Sequence, residues 1–504
     1  MGLAKFVMVL QTYSFRAHLL SKPENMNHLC LLYPSATLAS MYDPLDGMNR
    51  KLSLRDIRSE IQEKIVCQLN RMKFRVQSEN QRRDERWYYI APLLMDQADI
   101  RTKEWFRHPL LRDIAEDSDG VDDSGDDNTN ISKHLQQLKG LYDETDALNL
   151  GQMPRDLEEV LVNMVLASPA VCALRMVQPD TPTSIDLALQ LAKTIIDRFN
   201  TQEAIAIVDL SYDKAGQGIH WKSILRYCVD GNLQSVLDEY AHMMLEGYDS
   251  NSWDRQEINS ELIKDMIQTL KTHITSTNVD TYANFSEHVK NTGKTNGKER
   301  LMRMRSSYAV GFYDTKHEGK SIQRKDNIRA SFNSPFRPFV LASTSIGQEG
   351  LDFHYYCRKI VHWNLPTNPI DLEQREGRIN RYKCHAIRQN IAHKYGETIF
   401  QSDLWHEMFR RALDDQRKSE TSELIPFWCL SKQDDESTPY KIERVVPLYP
   451  LSKDSARYER LMKILSLYRI SLGQARQEEL IDYLFDEGFE DMSELFMNLS
   501  PYFR

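Results

Sequence analysis

The chain is 504 residues long, with 41% hydrophobic residues, 27% charged residues and a formal net charge of −9. That length accommodates two to four domains at roughly 100–200 residues each, and the composition is that of an ordinary water-soluble globular protein. No segment reaches the roughly 18–20 apolar residues of a bilayer-spanning helix, so no membrane role is expected. The 7 cysteines form no CxxC pair, which argues against a zinc site or a disulfide framework and fits reduced thiols in a cytoplasmic protein.

Residues 1–47 hold two short apolar runs, Phe6–Leu10 and Leu29–Tyr33, that read as buried strands. The apolar start lacks the small-residue cleavage site of a signal peptide. Pro34-Ser35-Ala36 reads as a turn into a helix. Residues 48–299 read as mostly helical. Leu157, Val160, Leu161 and Met164 recur at helical spacing, as do Leu233, Val236 and Leu237 followed by Tyr240, Met243 and Met244; such stripes form a core. Within this region, residues 113–130 form an acidic linker carrying Asp113, Glu116, Asp117, Asp119, Asp122, Asp123, Asp126 and Asp127. Setting that run aside leaves a nearly neutral body on which a basic groove can sit. Thr275–Arg300 is polar and reads as a loop. Trp87-Tyr88-Tyr89 and Tyr355-Tyr356 read as core or interface aromatics before base-stacking ones. His354, His362 and His385 lack metal-ligand spacing, so structural histidines and no metal site are expected.

Residues 300–415 change character. Apolar runs at Pro338–Ala342 and Lys359–Trp363 alternate with helical patterns, the signature of a parallel sheet. Residues 416–504 begin as a Pro-containing connector and end in helices near Leu461–Leu472 and Gln477–Leu495.

Two segments carry chemistry. The first runs from Ala342 to Asp352 and starts at the end of a predicted strand, where parallel sheets place ligand-binding loops. Thr344 and Ser345 offer hydroxyls, and Gly347 and Gly350 let the backbone approach a phosphate. Asp352 adds a carboxylate suited to a ribose hydroxyl or an ordered water. The second is Gln374-Arg375-Glu376-Gly377-Arg378-Ile379-Asn380-Arg381, expected to open a helix after the Pro366 and Pro369 turns. Arg378 and Arg381 are three apart and would share one helix face. With Gln374 one turn earlier they make a donor cluster shaped for a nucleotide γ-phosphate. A surface salt-bridge face is the plain alternative for any one of these arginines.

Taken in order, TxxGxxGLD, a second strand ending in Asn364-Leu365-Pro366, and QxxGRxxR resemble the C-terminal domain of superfamily-two helicases, in the branch of chromatin-remodeller-like and bacterial DEAD/DEAH-type ATPases. In that resemblance Thr344–Asp352 is motif V and Gln374–Arg381 is motif VI. Arg324, Ile328 and Phe332 look like the helix before the motif V strand, and Leu365–Pro369 like the LPxNP connector. The resemblance implies an α/β, RecA-like parallel-sheet core at 300–415, with a large mostly helical insertion at 48–299 and a helical extension at 416–504. An independent helical domain ahead of the core is the alternative to an insertion. It also implies Arg378 and Arg381 as arginine fingers, and Gln374, Gly350, Asp352 and Gly377 around the nucleotide. Thr344, with Ser345, would contact a nucleic-acid backbone.

A complete motor also needs GxxxxGK[ST] and a magnesium carboxylate motif. Gly293-Lys294-Thr295 has His288 where the first glycine belongs, and Asp143-Glu144, Asp238-Glu239 and Asp486-Glu487 follow no apolar strand. ATP and Mg2+ would therefore be gripped mainly by a P-loop half on a partner chain. The expectation is half of an ATP-dependent helicase or translocase acting on nucleic acid, DNA before RNA. The alternative is a non-catalytic module that binds nucleic acid or protein and keeps the fold.

Overall fold

A computed structural model of the chain describes residues 26–73, 82–107, 136–143, 150–178, 181–200, 202–212, 219–248, 254–270, 275–279, 302–306, 328–336, 338–342, 352–401, 403–418, 424–429 and 440–471. The chain divides into two compact units, Met1–Lys271 and Thr272–Arg504.

The first unit is mainly helical in its described residues, with one isolated parallel bridge between Arg83 and Gln152. Short helices α1 (Leu29–Leu32), α2 (Ala36–Ser40) and α3 (Pro44–Asn49) lead into the long α4 (Leu54–Lys73), then α5 (Trp87–Asp96) and α6 (Ile100–Arg107). Next come α7 (Leu157–Ala167), α8 (Pro169–Val177), α9 (Pro182–Phe199), α10 (Gln202–Tyr212), α11 (His220–Asp230), α12 (Leu233–Leu245) and α13 (Arg255–Leu270). The two predicted stripes lie on α7 and α12, where Leu157, Leu161, Met164, Leu237 and Tyr240 are buried. Trp87, Tyr88 and Tyr89 are buried in α5, the core reading of that cluster. Taken singly, no described helix is long and apolar enough to cross a membrane; the bent pair α7–α8 meets the composition test together, and its residues form this core.

The run Leu29–Tyr33 corrects the strand reading. It is the helix α1, buried on every side and ended by Tyr33, which takes an extended conformation ahead of Pro34. A short apolar run has no period to tell strand from helix. Ser168 Oγ donates to the Cys30 carbonyl at 2.9 Å, and Arg175 Nε to the Ala39 carbonyl at 3.1 Å. Residues 26–47 are thus built into the helical body rather than into a sheet. Phe6–Leu10, the acidic linker and the Gly293-Lys294-Thr295 stretch lie outside the described residues.

Among its described residues the second unit contains two small sheets. Strand β1 (Thr275–Val279) pairs antiparallel with β2 (Met302–Ser306), Thr275 opposite Ser306. This corrects the loop reading at residues 275–279. Thr275, Thr277 and Val279 are β-branched, and the strand preference of this run is hidden by the polar Thr275, Ser276, Thr277 and Asn278. The other sheet is parallel: β3 (Lys359–Val361) lies beside β4 (Glu443–Val445), Ile360 opposite Arg444. Residues 338–342 are not a strand; Phe339 is 51% and Val340 84% exposed, so this apolar run lacks the burial that would fix it as a central strand. Helices α14 (Pro369–Glu376), α15 (His385–Tyr395), α16 (Leu404–Lys418) and α17 (Asp454–Ser471) also lie among the unit's described residues. Leu372 of α14 packs on Leu461, Met462 and Leu465 of α17, with Leu365 and Tyr458 at the margin. Beyond residue 415, β4 pairs with β3 and α17 packs on α14. The helix predicted at Gln477–Leu495 lies outside the described residues.

Candidate functional site

The connector Leu365–Pro369 sets the second predicted motif in place. Leu365 anchors against the α14–α17 cluster, and Asn368 caps α14 by accepting from Ile370 N at 3.1 Å, with Pro369 at the first helical position. Gln374 lies on α14 and is exposed. The helix stops at Glu376. Gly377 N donates to Glu373 O at 2.8 Å, and a Cβ there would come within 3.2 Å of that same carbonyl. Ile379 N and Asn380 N then both donate to Glu376 O at 3.0 Å, closing a turn. Arg378 lies in this turn and Arg381 beyond it, so the expectation that both arginines project from one helix face is corrected. The helix is over at its C-cap, Gly377, before either is reached.

What replaces the helix face is a clamp between the two predicted motifs. Phe353 N donates to the Arg378 carbonyl at 2.8 Å, and Arg381 Nε donates to Asp352 Oδ1 at 2.9 Å. Asn333 Nδ2 donates to the Asp352 carbonyl at 2.6 Å, and the Phe332 and Phe353 rings meet edge to face at 5.5 Å. Residues 328–332 are helical, as the resemblance implies for the segment ahead of motif V. Asp352 therefore binds Arg381, where a ribose hydroxyl or water was expected. Both members of the pair are partly exposed. Because Arg381 uses Nε, its terminal nitrogens keep their donors; among the described residues they have no partner. Thr344, Ser345 and Gly350 lie outside the described residues.

Beneath the clamp is a buried ionic frame. Glu376 ends α14 and accepts from Arg444 of β4 through both oxygens, the Nη2–Oε2 contact being 2.6 Å. His362, buried just after β3, lies 3.3 Å from Glu376 Oε1 through Nε2. Burial alone would push the Glu376 carboxyl up, but hydrogen bonds with His362 and Arg444 and the Arg444 charge outweigh it and hold it at about 2. Burial alone would lower Arg444, but its hydrogen bonds and charge interaction with Glu376, with Tyr458 behind them, push its pKa up. The frame ties the end of the motif VI helix to both strands of the parallel sheet. Burial lowers His354 and His385 to about 4, assisted by nearby arginines. Both rings are therefore neutral near pH 7.

The sequence reading missed the residues after Arg381. Tyr382, Lys383 and Arg388 form an aromatic and cationic cluster with Trp405, Phe409, Phe427 and Trp428. The available signal was charge: Gly377 to Gly396 contains Arg378, Arg381, Lys383, Arg388 and Lys394 with no Asp or Glu, inside an acidic chain.

A family model described as helicase conserved C-terminal domain matches residues 263–383. The RNA polymerase-associated protein RapA of Pseudomonas aeruginosa is 29% identical over 153 residues, covering 29% of this chain and 14% of that protein. RapA of Pseudomonas putida is 36% identical over 95 residues, 18% of this chain and 10% of the relative. RapA of Pseudomonas fluorescens is 26% identical over 243 residues, 45% of this chain and 24% of the relative. Across these three, the chain spans between 10% and 24% of the relatives' length. No solved structure matches the chain. The match spans both clamped segments, Phe353–Asp352 and Arg378–Arg381, and implies a RecA-like fold around the small parallel sheet: residues 263–383 are a helicase C-terminal domain.

Proposed function

We infer that the chain supplies the C-terminal half of an ATP-dependent nucleic-acid helicase or translocase. The observation that supports this most is the clamp, in which Asp352 holds Arg381 by Nε and leaves the outer edge of the guanidinium for an oxyanion. Arg378 and Arg381 act as fingers on the γ-phosphate, stabilising charge that develops as the phosphoryl group transfers. Gln374, Gly377 and Gly350 complete the nucleotide contacts. Thr344 and Ser345 hold the backbone of the nucleic acid, DNA in preference to RNA.

Among the described residues no group of His, Cys, Asp or Glu could hold a metal ion. In this reading the Mg2+ ligands and the P-loop belong to a half outside these residues, carried by a partner chain. Bound there, MgATP brings the phosphoryl group to be transferred, and this chain's own contribution is positioning and charge. The RapA relatives are named for association with RNA polymerase; a protein partner of that kind is compatible with the reading but does not carry it.

The test is ATP hydrolysis by the purified chain, alone and with its P-loop partner, with and without single-stranded DNA. The reading predicts no turnover alone and strand-stimulated turnover in the pair. Turnover by the 504 residues alone would overturn the division of labour. A pair that turns over equally with and without any nucleic acid would overturn the motor.

A further inference from the structure

Beyond Arg381 three aromatic rings form a column. Phe409 is buried, Phe427 stacks on it at 5.8 Å and 10°, and Tyr382 stacks on Phe427 at 5.4 Å and 20°. The column ends at Tyr382, which is 46% exposed, and the half-exposed Trp428 stands edge-on to it at 6.1 Å. Lys383 Nζ lies 4.6 Å from the Phe409 centroid and 5.4 Å from that of Tyr382.

The backbone that presents Tyr382 is strained and pinned. Lys383 has φ of 49°, a left-handed conformation that a side chain disfavours. Lys383 N donates to the Phe427 carbonyl at 2.8 Å, and the buried Arg388 donates from Nε to the Lys383 carbonyl at 3.1 Å. Arg388 is in turn seated over the Trp405 ring at 5.1 Å. Such strain persists only where the surroundings over-determine it, and it gathers at ligand-binding positions. The turn is rigid before anything binds, so little order remains to be lost on binding.

We propose that the exposed face of Tyr382, framed by Trp428, is a stacking platform for a base of an unpaired nucleic-acid strand; this rests on the reading of the chain as part of a nucleic-acid motor. Nearly parallel rings beneath a flat exposed face suit one more flat ring, and the neighbouring charge selects which. Lys383 beside the column, in a stretch from Gly377 to Gly396 that contains no acid, favours a ring that arrives with phosphates. The next exposed cation, Lys394, lies towards the far end of α15, whose 11 residues span about 16 Å. That is longer than the phosphates of one nucleotide and fits successive phosphates of a strand.

The experiment is anisotropy titration of a fluorescein-labelled oligothymidylate with the full chain and its variants at several salt concentrations. Tyr382→Ala is expected to raise Kd by about 5- to 150-fold, as for loss of one stacked base. Tyr382→Leu, which keeps apolar cover over Phe427 but no flat face, should show a similar loss, and Tyr382→Phe should bind within about 2-fold of the parent, since the ring supplies the contact. The dependence of log Kd on log salt should be unchanged in the ring variants, because stacking releases no counterions, whereas Lys383→Gln should reduce that slope by about one. Strand binding by Tyr382→Ala and Tyr382→Leu equal to the parent overturns the platform and leaves the motor reading standing. Loss of mant-ATP binding by the pair formed with the P-loop partner, with strand binding intact, also overturns it, by assigning the ring to the nucleotide's own base. Failure of the parent chain to bind any strand overturns both.

Discussion

Arg444→Met is the perturbation that tests most sharply how the motif VI helix is held. Arg444 donates through Nε and Nη2 to both oxygens of Glu376, which is only 9% exposed. Methionine keeps the length of the side chain and removes the charge, while the His362 contact to Glu376 stays. Removing one member of a buried pair costs roughly 3–5 kcal/mol, most of it from the stranded charge. The residual contact with His362 and access to water along the side chain place the expected loss near the lower end, about 3 kcal/mol. The cost should also depend on pH. In the parent, Glu376 is depressed to about 2, so its contribution is fully present above the unfolded value near 4.5 and fades as pH falls towards 2. In the variant the carboxyl has lost its main stabilising charge and protonates more readily, so acid relieves the penalty. Urea unfolding followed by tryptophan fluorescence at pH 7.5 and pH 4.5 measures both effects. A loss below about 1 kcal/mol at pH 7.5 would refute the ionic-frame argument, since that is the range of an exposed pair. An equal loss at both pH values would refute the stranded-charge explanation for it.

Three further outcomes follow from the same geometry. Asp352→Asn should change stability by no more than about 1 kcal/mol, because the pair with Arg381 is partly exposed; strand-stimulated ATP turnover should nonetheless fall at least about tenfold, since small misplacements of catalytic groups are costly. Unchanged turnover would remove Asp352 as the residue that orients Arg381. Leu372→Ala should cost about 2–5 kcal/mol in urea unfolding, because the fully buried side chain joins α14 to α17; a cost under about 1 kcal/mol would mean that the layer collapses to fill the space. His354 and His385, held neutral with values lowered to about 4, contribute stability that is full above the unfolded value near 6.5 and is lost as pH falls towards 4. Replacing both with Gln should flatten the stability profile between those limits, and an unchanged profile would show that the rings titrate alike in both states.

Much of the site could be read from the sequence because its signals were chemical rather than conformational. The pattern QxxGRxxR and the Asp that ends the first segment marked residues that the fold does bring together, although their manner of meeting was misjudged. A three-residue spacing means a shared face only while a helix continues, and Gly377 ends α14 before Arg378. Secondary structure was legible where periodicity was long, as in α7 and α12. It failed where apolar runs were four or five residues. Leu29–Tyr33 was drawn into a helix by burial on all sides, and residues 338–342 remained irregular. The place of β4 and α17 was hidden for another reason. Glu443–Val445 is three residues long, and only its parallel pairing with Lys359–Val361 shows that it belongs to the core. The Tyr382 column was not legible at all, since Phe409 and Phe427 are distant in sequence and meet Tyr382 only in the folded unit.

The most direct test of the central claim is the rate of strand-stimulated ATP hydrolysis by the assembled pair carrying Arg378→Ala or Arg381→Ala, alongside the affinity of that pair for nucleotide. Fingers that act on the transition state predict a fall of about 10³–10⁵-fold in turnover with pairing and nucleotide binding largely kept. Turnover within about threefold of the parent in both variants would be too small a change for a finger and would contradict the account.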